Sequence, residues 1–502
     1  MRHTIAHITT EVAPYFKRGG LGDVMGALPQ NLEGDRYHNV MICLYSDGHM
    51  SGLEGSVKRE YRLSYLGVDY DFTAYHLFEN RVDYYFVRLS DNRVLGGDRE
   101  EEYKPYSSPS NIVPLFYFAR AAYHVLKEEV IHPGFVCCHD WQTAGALAYP
   151  DLLAAVANGR PPVTLFMIHN YEYQGEIYPD ILPFLEPAAR QRVREIFTRF
   201  GSASMLALGL GNSMHAGTVS RSYALELERL EAPHPGLKYL DLCGRRVLPF
   251  LNGIDDSLWR PDKSPFLERQ YDAASLENKT ELKRTALLRY GFGRPDDTGP
   301  PLVLMLCRLT YQKGIGLFVD FDNDLERMAE NMAGFLGESR RFLVMGTPAD
   351  GQNGPVARQL RELERRFEGR FVFVNGYNEA EAHQLLAAAD MLVAPSLFEP
   401  CGLIQVYAMA FGTVPLVRPV GGMKDTVDGY FDNPAEATGF YIDSYSRESL
   451  NRAVARAETV YLDSPGEWRR MMKRGMGRDF SWHKMKQQYF EFFRGALASA
   501  GS

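Results

Sequence analysis

Met391–Pro419 reads MLVAPSLFEPCGLIQVYAMAFGTVPLVRP. An apolar run, a polar turn, a helix-length segment and a second apolar run follow one another directly. That order predicts strand, helix, strand, a βαβ unit with parallel strands. The pattern recurs along the chain. Strands are predicted at HNVMICLYS (38–46), FVCCHDW (135–141), VTLFMIHN (163–170), GTVS (217–220), PLVLMLCRL (301–309), RFLVMG (341–346), FVFVNGY (371–377), MLVAPS (391–396) and TVPLVRP (413–419). Amphipathic segments such as EAEAHQLLAAAD (379–390) lie between them. The expected fold class is α/β, with two doubly wound, Rossmann-like domains facing across a cleft.

A chain of 502 residues exceeds what one core holds. The stretch LPFLNGIDDSLWRPDKSP, rich in Gly, Pro and Asp, precedes a fresh strand–helix series and marks the boundary. The reading is a first domain over 1–248, a linker over 249–261 and a second domain over 262–478. The tail FSWHKMKQQYFEFFRGAL is a final amphipathic helix, with 479–502 returning to the first domain. Net charge is −8 and no basic stripe dominates, which argues against a nucleic-acid partner. Any anionic ligand must then meet a local cluster of Lys and Arg. Cys43, Cys137, Cys138, Cys243, Cys307 and Cys401 are spaced for neither a zinc site nor a disulfide scaffold. There is no signal-peptide pattern, and no run reaches about 18 apolar residues. A reducing, cytoplasmic, membrane-free setting is expected. No feature sets an oligomeric state.

In such sheets ligands bind beyond the carboxyl ends of the strands, and the chemistry-bearing segments all fall there. Glu399 precedes Pro400, Cys401, Gly402 and Leu403, and then a helix begins. The Gly402 and Leu403 amides suit a phosphate, and Glu399 could accept from sugar hydroxyls. Alternatively, Glu399 caps the helix. CRLTYQKG sets Arg308 and Lys313 where a strand leaves for a helix, which suits a diphosphate or else a surface charge pair. Near the N-terminus, Lys17-Arg18-Gly19-Gly20-Leu21-Gly22-Asp23-Val24 crowds cations and glycines into the turn after a first strand. It reads as a phosphate cradle or a tight turn with a solvated lysine. CCHDWQTA and FMIHNYEYQGE put Asp140 and His169 at two further strand ends. VRPVGGMKDTV adds another glycine turn. Two aspartate groups, Asp69–Asp71 and Asp320–Asp324, could bind a metal. The first lies in a hairpin-like stretch and the second in a helix pattern, both read as solvated surface, so no metal is expected.

Taken together, EVAPYFKRGGLGDVMGALP, HDWQTA, IHNYEYQGE, LNGIDDSLWRP, YDAASLENKTELKR, CRLTYQKG, GYNEAEAHQLLAAAD, SLFEPCGL and FGTVPLVRPVGGMKDTV resemble the bacterial glycogen synthase and plant starch synthase family, in family order. The resemblance implies a GT-B glycosyltransferase with a closing helix that crosses back to the first domain. It implies transfer of glucose, usually from ADP-glucose, to an α-1,4-glucan with retention of configuration and without metal or pyridoxal phosphate. It casts Arg308 and Lys313 as the diphosphate grip, and Lys17, Gly19 and Gly20 as a donor cover from the other domain. Tyr377 would stack on the base, and Glu399 with the Cys401–Gly402–Leu403 backbone would hold glucose and phosphates. His169 would contact the glucose, with Asp140, Asp23 and Asn111 on the acceptor side. Tyr407 stands where many retaining relatives carry a second glutamate, as glycogen synthases look.

The chain also departs from the family. A hand alignment sets Pro114 in place of an arginine, Ser204 in place of an asparagine and Ala207 in place of a lysine. APHPGLKYL replaces a glycine-rich loop and MGTPADGQNG a shorter turn. Most of these changes fall in the acceptor-side domain and are expected to alter acceptor choice. Two further readings follow: a retaining glycosyltransferase using ADP- or UDP-glucose with a short or modified acceptor, and a catalytically weak carbohydrate-binding relative. The presence of Lys17, Arg308, Lys313 and Glu399 speaks against the latter.

Overall fold

The computed structural model describes residues 2–17, 19–45, 50–89, 112–157, 160–229, 237–244, 246–292, 298–320 and 322–500. Asn111 and most of the APHPGLKYL loop lie outside them. The chain divides into two units, Met1–Gly253 with Trp482–Ser502, and Ile254–Ser481.

The first unit is built on strands β1 (His3–Thr9), β2 (Tyr37–Leu44), β3 (Val57–Tyr65), β4 (Val68–Glu79), β5 (Val82–Leu89), β6 (Phe135–His139), β7 (Val163–Ile168), β8 (Glu176–Ile177), β9 (Ala203–Ser204), β10 (His215–Thr218) and β11 (Val247–Pro249). Nine of them form one sheet in the order β11-β10-β7-β6-β1-β2-β5-β4-β3, while β8 and β9 pair separately. From β11 to β5 every pairing is parallel. β6 and β7 are buried throughout, which explains their unbroken apolar runs. The Ile112–Glu128 helix covers one face with Leu115, Phe116, Phe118, Ala122 and Val125. Each large apolar side chain so buried contributes about 1.5–3 kcal/mol. The Trp482–Ala500 helix belongs to this unit, as expected for the closing helix. Phe493 packs 4.6 Å from Phe135, and Phe490 stacks on Tyr37 at 5.6 Å.

At the far edge the parallel pattern gives way to a meander, because β4 runs antiparallel to both β3 and β5. This meander carries Asp69 and Asp71, both exposed, with Asp71 paired to Arg62 at 2.8 Å.

The second unit holds β12 (Leu302–Leu306), β13 (Arg341–Gly346), β14 (Phe371–Asn375), β15 (Met391–Ala394), β16 (Val414–Val417) and β17 (Phe440–Tyr441), all parallel. Their order is β14-β13-β12-β15-β16-β17. Strand order therefore reverses between β12 and β15, the edge where doubly wound sheets bind ligands. In the first unit the corresponding reversal falls between β1 and β6. The Asp320–Asp324 group is not helical, contrary to the sequence reading. It forms the turn before the Leu325–Leu336 helix, which Asp324 caps, and Asp320 is buried and paired with Arg327. A short polar side chain at a cap gives the same local pattern as one inside the helix.

Candidate active site

At the β12–β15 reversal two strand exits are laced together. Leu397 N–H donates to the Gln312 carbonyl at 2.7 Å, and Gln312 Nε2 donates to the Phe398 carbonyl at 3.3 Å. Gly314 has φ +88°, and an added Cβ would lie 2.7 Å from Pro395 Cγ, so only glycine lets the two exits meet this closely. This lacing seats Lys313 Nζ on Glu399 Oε2, to which Ser396 Oγ also donates at 3.1 Å. Glu399 is 5% exposed, a buried carboxylate held by a cation and a hydroxyl. It does not cap the following helix; the N-cap of Ile404–Ala410 is Leu403. Arg308 leaves β12 on the exposed side, and its side chain makes no hydrogen bond or ion pair among the described residues.

The Glu399–Leu403 turn is held from behind. Gly422 N–H donates to the Glu399 carbonyl at 3.0 Å. Gln405 Nε2 donates to the carbonyls of Cys401 and Gly402 at 3.1 and 2.6 Å. A Cβ on Gly422 would overlap the Cys401 carbonyl, which explains the second glycine of VRPVGGMKDTV. Gly402 has φ +69°. With the carbonyls turned inward, the N–H groups of Gly402 and Leu403 make no hydrogen bond among the described residues. The structure thus gathers Lys313, Glu399, Cys401, Gly402 and Leu403, with Arg308 at the same strand exit. Tyr377 follows β14 and is 50% exposed. Sequence reasoning missed Ser396, Gln312, Gln405 and Arg418. Arg418 Nη1 reaches the carbonyls of Ser396 and Leu397 at 2.8 and 2.7 Å from the β16 exit. Its place at the end of an apolar run, like Arg308, was the available signal. Tyr407 stacks on Trp259 at 3.8 Å.

In the first unit the β1 exit carries Glu11, 3% exposed, whose Oε2 accepts from Gly19 N–H at 3.1 Å just before the Gly20–Leu32 helix. Glu11, the first residue of EVAPYF, is a buried acceptor that sequence reasoning missed. Lys17 Nζ bonds Asp23 Oδ1 at 2.8 Å, both about one-third exposed. A Cβ at Gly19 would meet nothing within 4 Å. No neighbour demands that glycine.

At the β6 exit Asp140 has φ +65°, a strained conformation for a non-glycine residue. Its Oδ1 accepts from the backbone N–H of His169 at 3.0 Å and of Asn170 at 3.3 Å. Burial pushes its carboxyl up to about 7, against the pull of those two N–H groups, with Glu11 adding to the rise. Asp140 therefore holds the His169 loop. His169 Nε2 lies 3.1 Å from His139 Nδ1, and burial lowers the His169 imidazole to about 3. Pro114, Ser204 and Ala207, whose replacement was expected to alter acceptor choice, do not line an open groove. All three are buried; Ser204 Oγ caps the Met205–Asn212 helix by accepting from Ala207 N–H at 3.0 Å. Among the described residues no group of three or more His, Cys, Asp or Glu is placed to hold a metal ion.

Comparison with known proteins gives the family. Residues 4–240 match the family model described as starch synthase catalytic domain, and residues 292–474 match glycosyl transferases group 1. A glycogen synthase of Anaeromyxobacter sp. (strain Fw109-5) is 33% identical over 98% of this chain and 99% of its own length. The chain belongs to the glycogen synthase family. A second glycogen synthase family relative, from Thioalkalivibrio sulfidiphilus (strain HL-EbGR7), is 32% identical over 98% of this chain and 99% of its own. Among solved structures, the catalytic domain of starch synthase IV from Arabidopsis thaliana, bound to ADP and acarbose, superposes with a TM-score of 0.86. It is 26% identical and covers 99% of this chain and all of that one. As a member of the glycogen synthase family, the chain is a glycosyltransferase of the GT-B class with two Rossmann-like domains. Among its described residues, no helix is long and apolar enough to cross a membrane.

Proposed function

We propose that this chain transfers glucose from ADP-glucose to the non-reducing end of an α-1,4-glucan, with retention of configuration. The observation that carries the reading is the β12–β15 exit, where Lys313 and Glu399 are paired, Arg308 is unengaged and two amides stand open, in a family member whose structural relative holds ADP. The departing diphosphate gains negative charge as the glucosyl bond breaks, so catalysis needs preorganised positive charge there. Arg308 and Lys313 supply it, and the Gly402 and Leu403 N–H groups add fixed dipoles. Lys313 is held in place by Glu399 before any ligand arrives, so little reorganisation accompanies the reaction. Glu399, fixed by Lys313 and Ser396, keeps acceptor capacity for glucose hydroxyls. In the first unit His169 contacts the glucose, while Lys17 and the backbone of Gly19 and Gly20 meet the donor. Asp140, Asp23 and Asn111 serve the acceptor side. The incoming hydroxyl, hydrogen-bonded to the leaving phosphate, attacks from the same face.

A second reading keeps the donor and changes the acceptor to a short or modified sugar. It rests on the sequence alone, where Pro114, Ser204 and Ala207 replace polar side chains of the family, and the burial of all three speaks against it. The cysteines Cys43, Cys137, Cys138, Cys243, Cys307 and Cys401 are all free thiols, in keeping with a cytoplasmic setting. The deciding experiment is an activity matrix of ADP-glucose and UDP-glucose against glycogen, maltooligosaccharides and non-glucan acceptors. ADP release with glucan elongation is the expected outcome. Failure of every donor to release nucleotide with any acceptor would overturn the reading.

A further inference from the structure

Four polar side chains cross the first unit's sheet on one diagonal. Asn39 stands on β2, His7 on β1, His139 at the end of β6 and His169 just past β7, and these four strands are neighbours. His7 lies opposite Met41 of β2 and Cys137 of β6, and His139 lies opposite Met167 of β7. Each step across the sheet therefore climbs two residues toward the carboxyl edge. A two-residue step keeps every side chain on the same face. His7 Nε2 lies 3.1 Å from Asn39 Oδ1, and His7 Nδ1 lies 3.1 Å from His139 Nε2. The last link, His139 Nδ1 to His169 Nε2, is also 3.1 Å. Asn39, His7 and His139 are at most 1% exposed, whereas His169 is partly exposed.

The polarity of this row follows from its inner end. Glu33 Oε2 accepts from Asn39 N–H at 2.8 Å and from Asn39 Nδ2 at 3.3 Å, and Glu33 is itself paired with Arg2. A carboxylate only accepts, so Nδ2 faces Glu33 and Oδ1 faces His7. His7 must then donate from Nε2. Burial lowers His7 to about 4 and His139 well below the ordinary imidazole value, so each ring carries one proton. His7 Nδ1 is consequently a lone pair that accepts from His139 Nε2–H. By the same logic His139 Nδ1 accepts from His169 Nε2–H. The opposite polarity would set two acceptors face to face between Asn39 and His7. The one ring nitrogen left over is His169 Nδ1, a bare acceptor with no hydrogen-bond partner among the described residues.

We propose that Asn39, His7 and His139 are positioning residues that lock His169 as its Nε2–H tautomer, so that its Nδ1 selects a sugar hydroxyl able to donate. The proposal rests on the reading of His169 as a glucose contact. It implies that a methyl ether at the contacted hydroxyl is refused, because an ether oxygen offers a lone pair where the ring already has one.

The test is a two-bond proton–nitrogen correlation spectrum of the full chain labelled with 15N at histidine, with the row's three rings assigned by elimination from single His→Gln variants of the histidines outside it. His7, His139 and His169 are expected as neutral Nε2–H rings that do not titrate from about pH 6 to 8. An Nδ1–H tautomer or a cation at any of the three overturns the proposal, and this measurement needs no variant of the row to fold. Asn39→Leu removes the terminal acceptor. It is expected to give mixed tautomers at His169 and a loss of about tenfold in kcat/KM for ADP-glucose. Asn39→Asp leaves an oxygen acceptor toward His7 whether ionised or sharing a proton with Glu33, and is expected to restore both. Unchanged His169 tautomers in folded Asn39→Leu overturn the proposal. Addition of ADP-glucose to the unsubstituted protein should shift His169 Nδ1. Correct tautomers without that shift would overturn the glucose-contact reading instead, so the two failures are told apart.

Discussion

Lys313 donates to Glu399 across the β12–β15 reversal, one side chain 20% exposed and the other 6%. Arg308 leaves the same strand, and its side chain makes no hydrogen bond or ion pair among the described residues.

The two cations are therefore expected to fail differently. Arg308→Ala and Lys313→Ala should each lower kcat by on the order of 10²–10³, the cost of losing a charge-stabilising donor. Lys313→Ala also strands a buried carboxylate and should cost about 3 kcal/mol of stability, while Arg308→Ala should leave stability unchanged. Steady-state kinetics at saturating donor, with denaturant unfolding of each variant, check both. Near-full turnover in either variant would remove that residue from its role.

Gly422→Ala tests whether the turn must be held where it is. The new Cβ overlaps the Cys401 carbonyl and must push the Glu399–Leu403 turn outward. A displacement on the order of 1 Å at a reacting group costs about 10²-fold in rate. The expected result is that loss in kcat in a protein that still folds. Unaltered kcat would mean that the turn does not touch the reacting atoms.

Asp140 gives a pH signature. Its folded value of about 7 lies above the 3.8 of an ordinary aspartate. Between those two values the folded state keeps a proton that the unfolded chain has released, so folding stability falls as pH rises through that window and levels off above it. Asp140→Asn keeps the Oδ1 acceptor for His169 and Asn170 and does not titrate. Its unfolding free energy should be flatter from about pH 4 to 7. Parallel curves for the two proteins would refute the assignment.

Ala207→Lys would restore the residue expected from the family. Ala207 is fully buried beside the Ser204 cap. A lysine there must bury a charge or break the helix start, so lower thermal stability is expected with no gain in glycogen elongation. A gain in elongation at unchanged stability would show that this position still serves the acceptor.

The parallel strands were legible because strands buried on both faces are written as unbroken apolar runs, as in VTLFMI and RFLVMG. The cations and glycines at strand exits were legible for a related reason: their spacing from a strand end is local. The β3–β4–β5 meander was legible only as the hairpin-like stretch around Asp69 and Asp71, because β3 opens on four exposed residues, with Lys58, Arg59 and Glu60 in a row, and so shows neither an apolar run nor a clean alternation. The histidine row was not legible. His7 and His139 stand 132 positions apart, and only the strand register brings them together. Ser204 and Ala207 misled for the opposite reason. Alignment shows which residue replaces which, but not that the backbone has turned the position inward.

The Trp482–Ala500 helix completes a unit whose sheet is otherwise finished by Pro249. During synthesis the whole of Ile254–Ser481 must leave the ribosome first, a delay on the order of tens of seconds. Through that interval Tyr37, Phe135 and Phe250 lack the rings of Tyr489, Phe490 and Phe493 that cover them in the finished fold. The nascent first unit is thus a sticky intermediate by construction, and a chaperone that binds exposed aromatic surface has its opportunity there. A premature stop within the last helix should leave the second unit's sheet intact and send the first into aggregates.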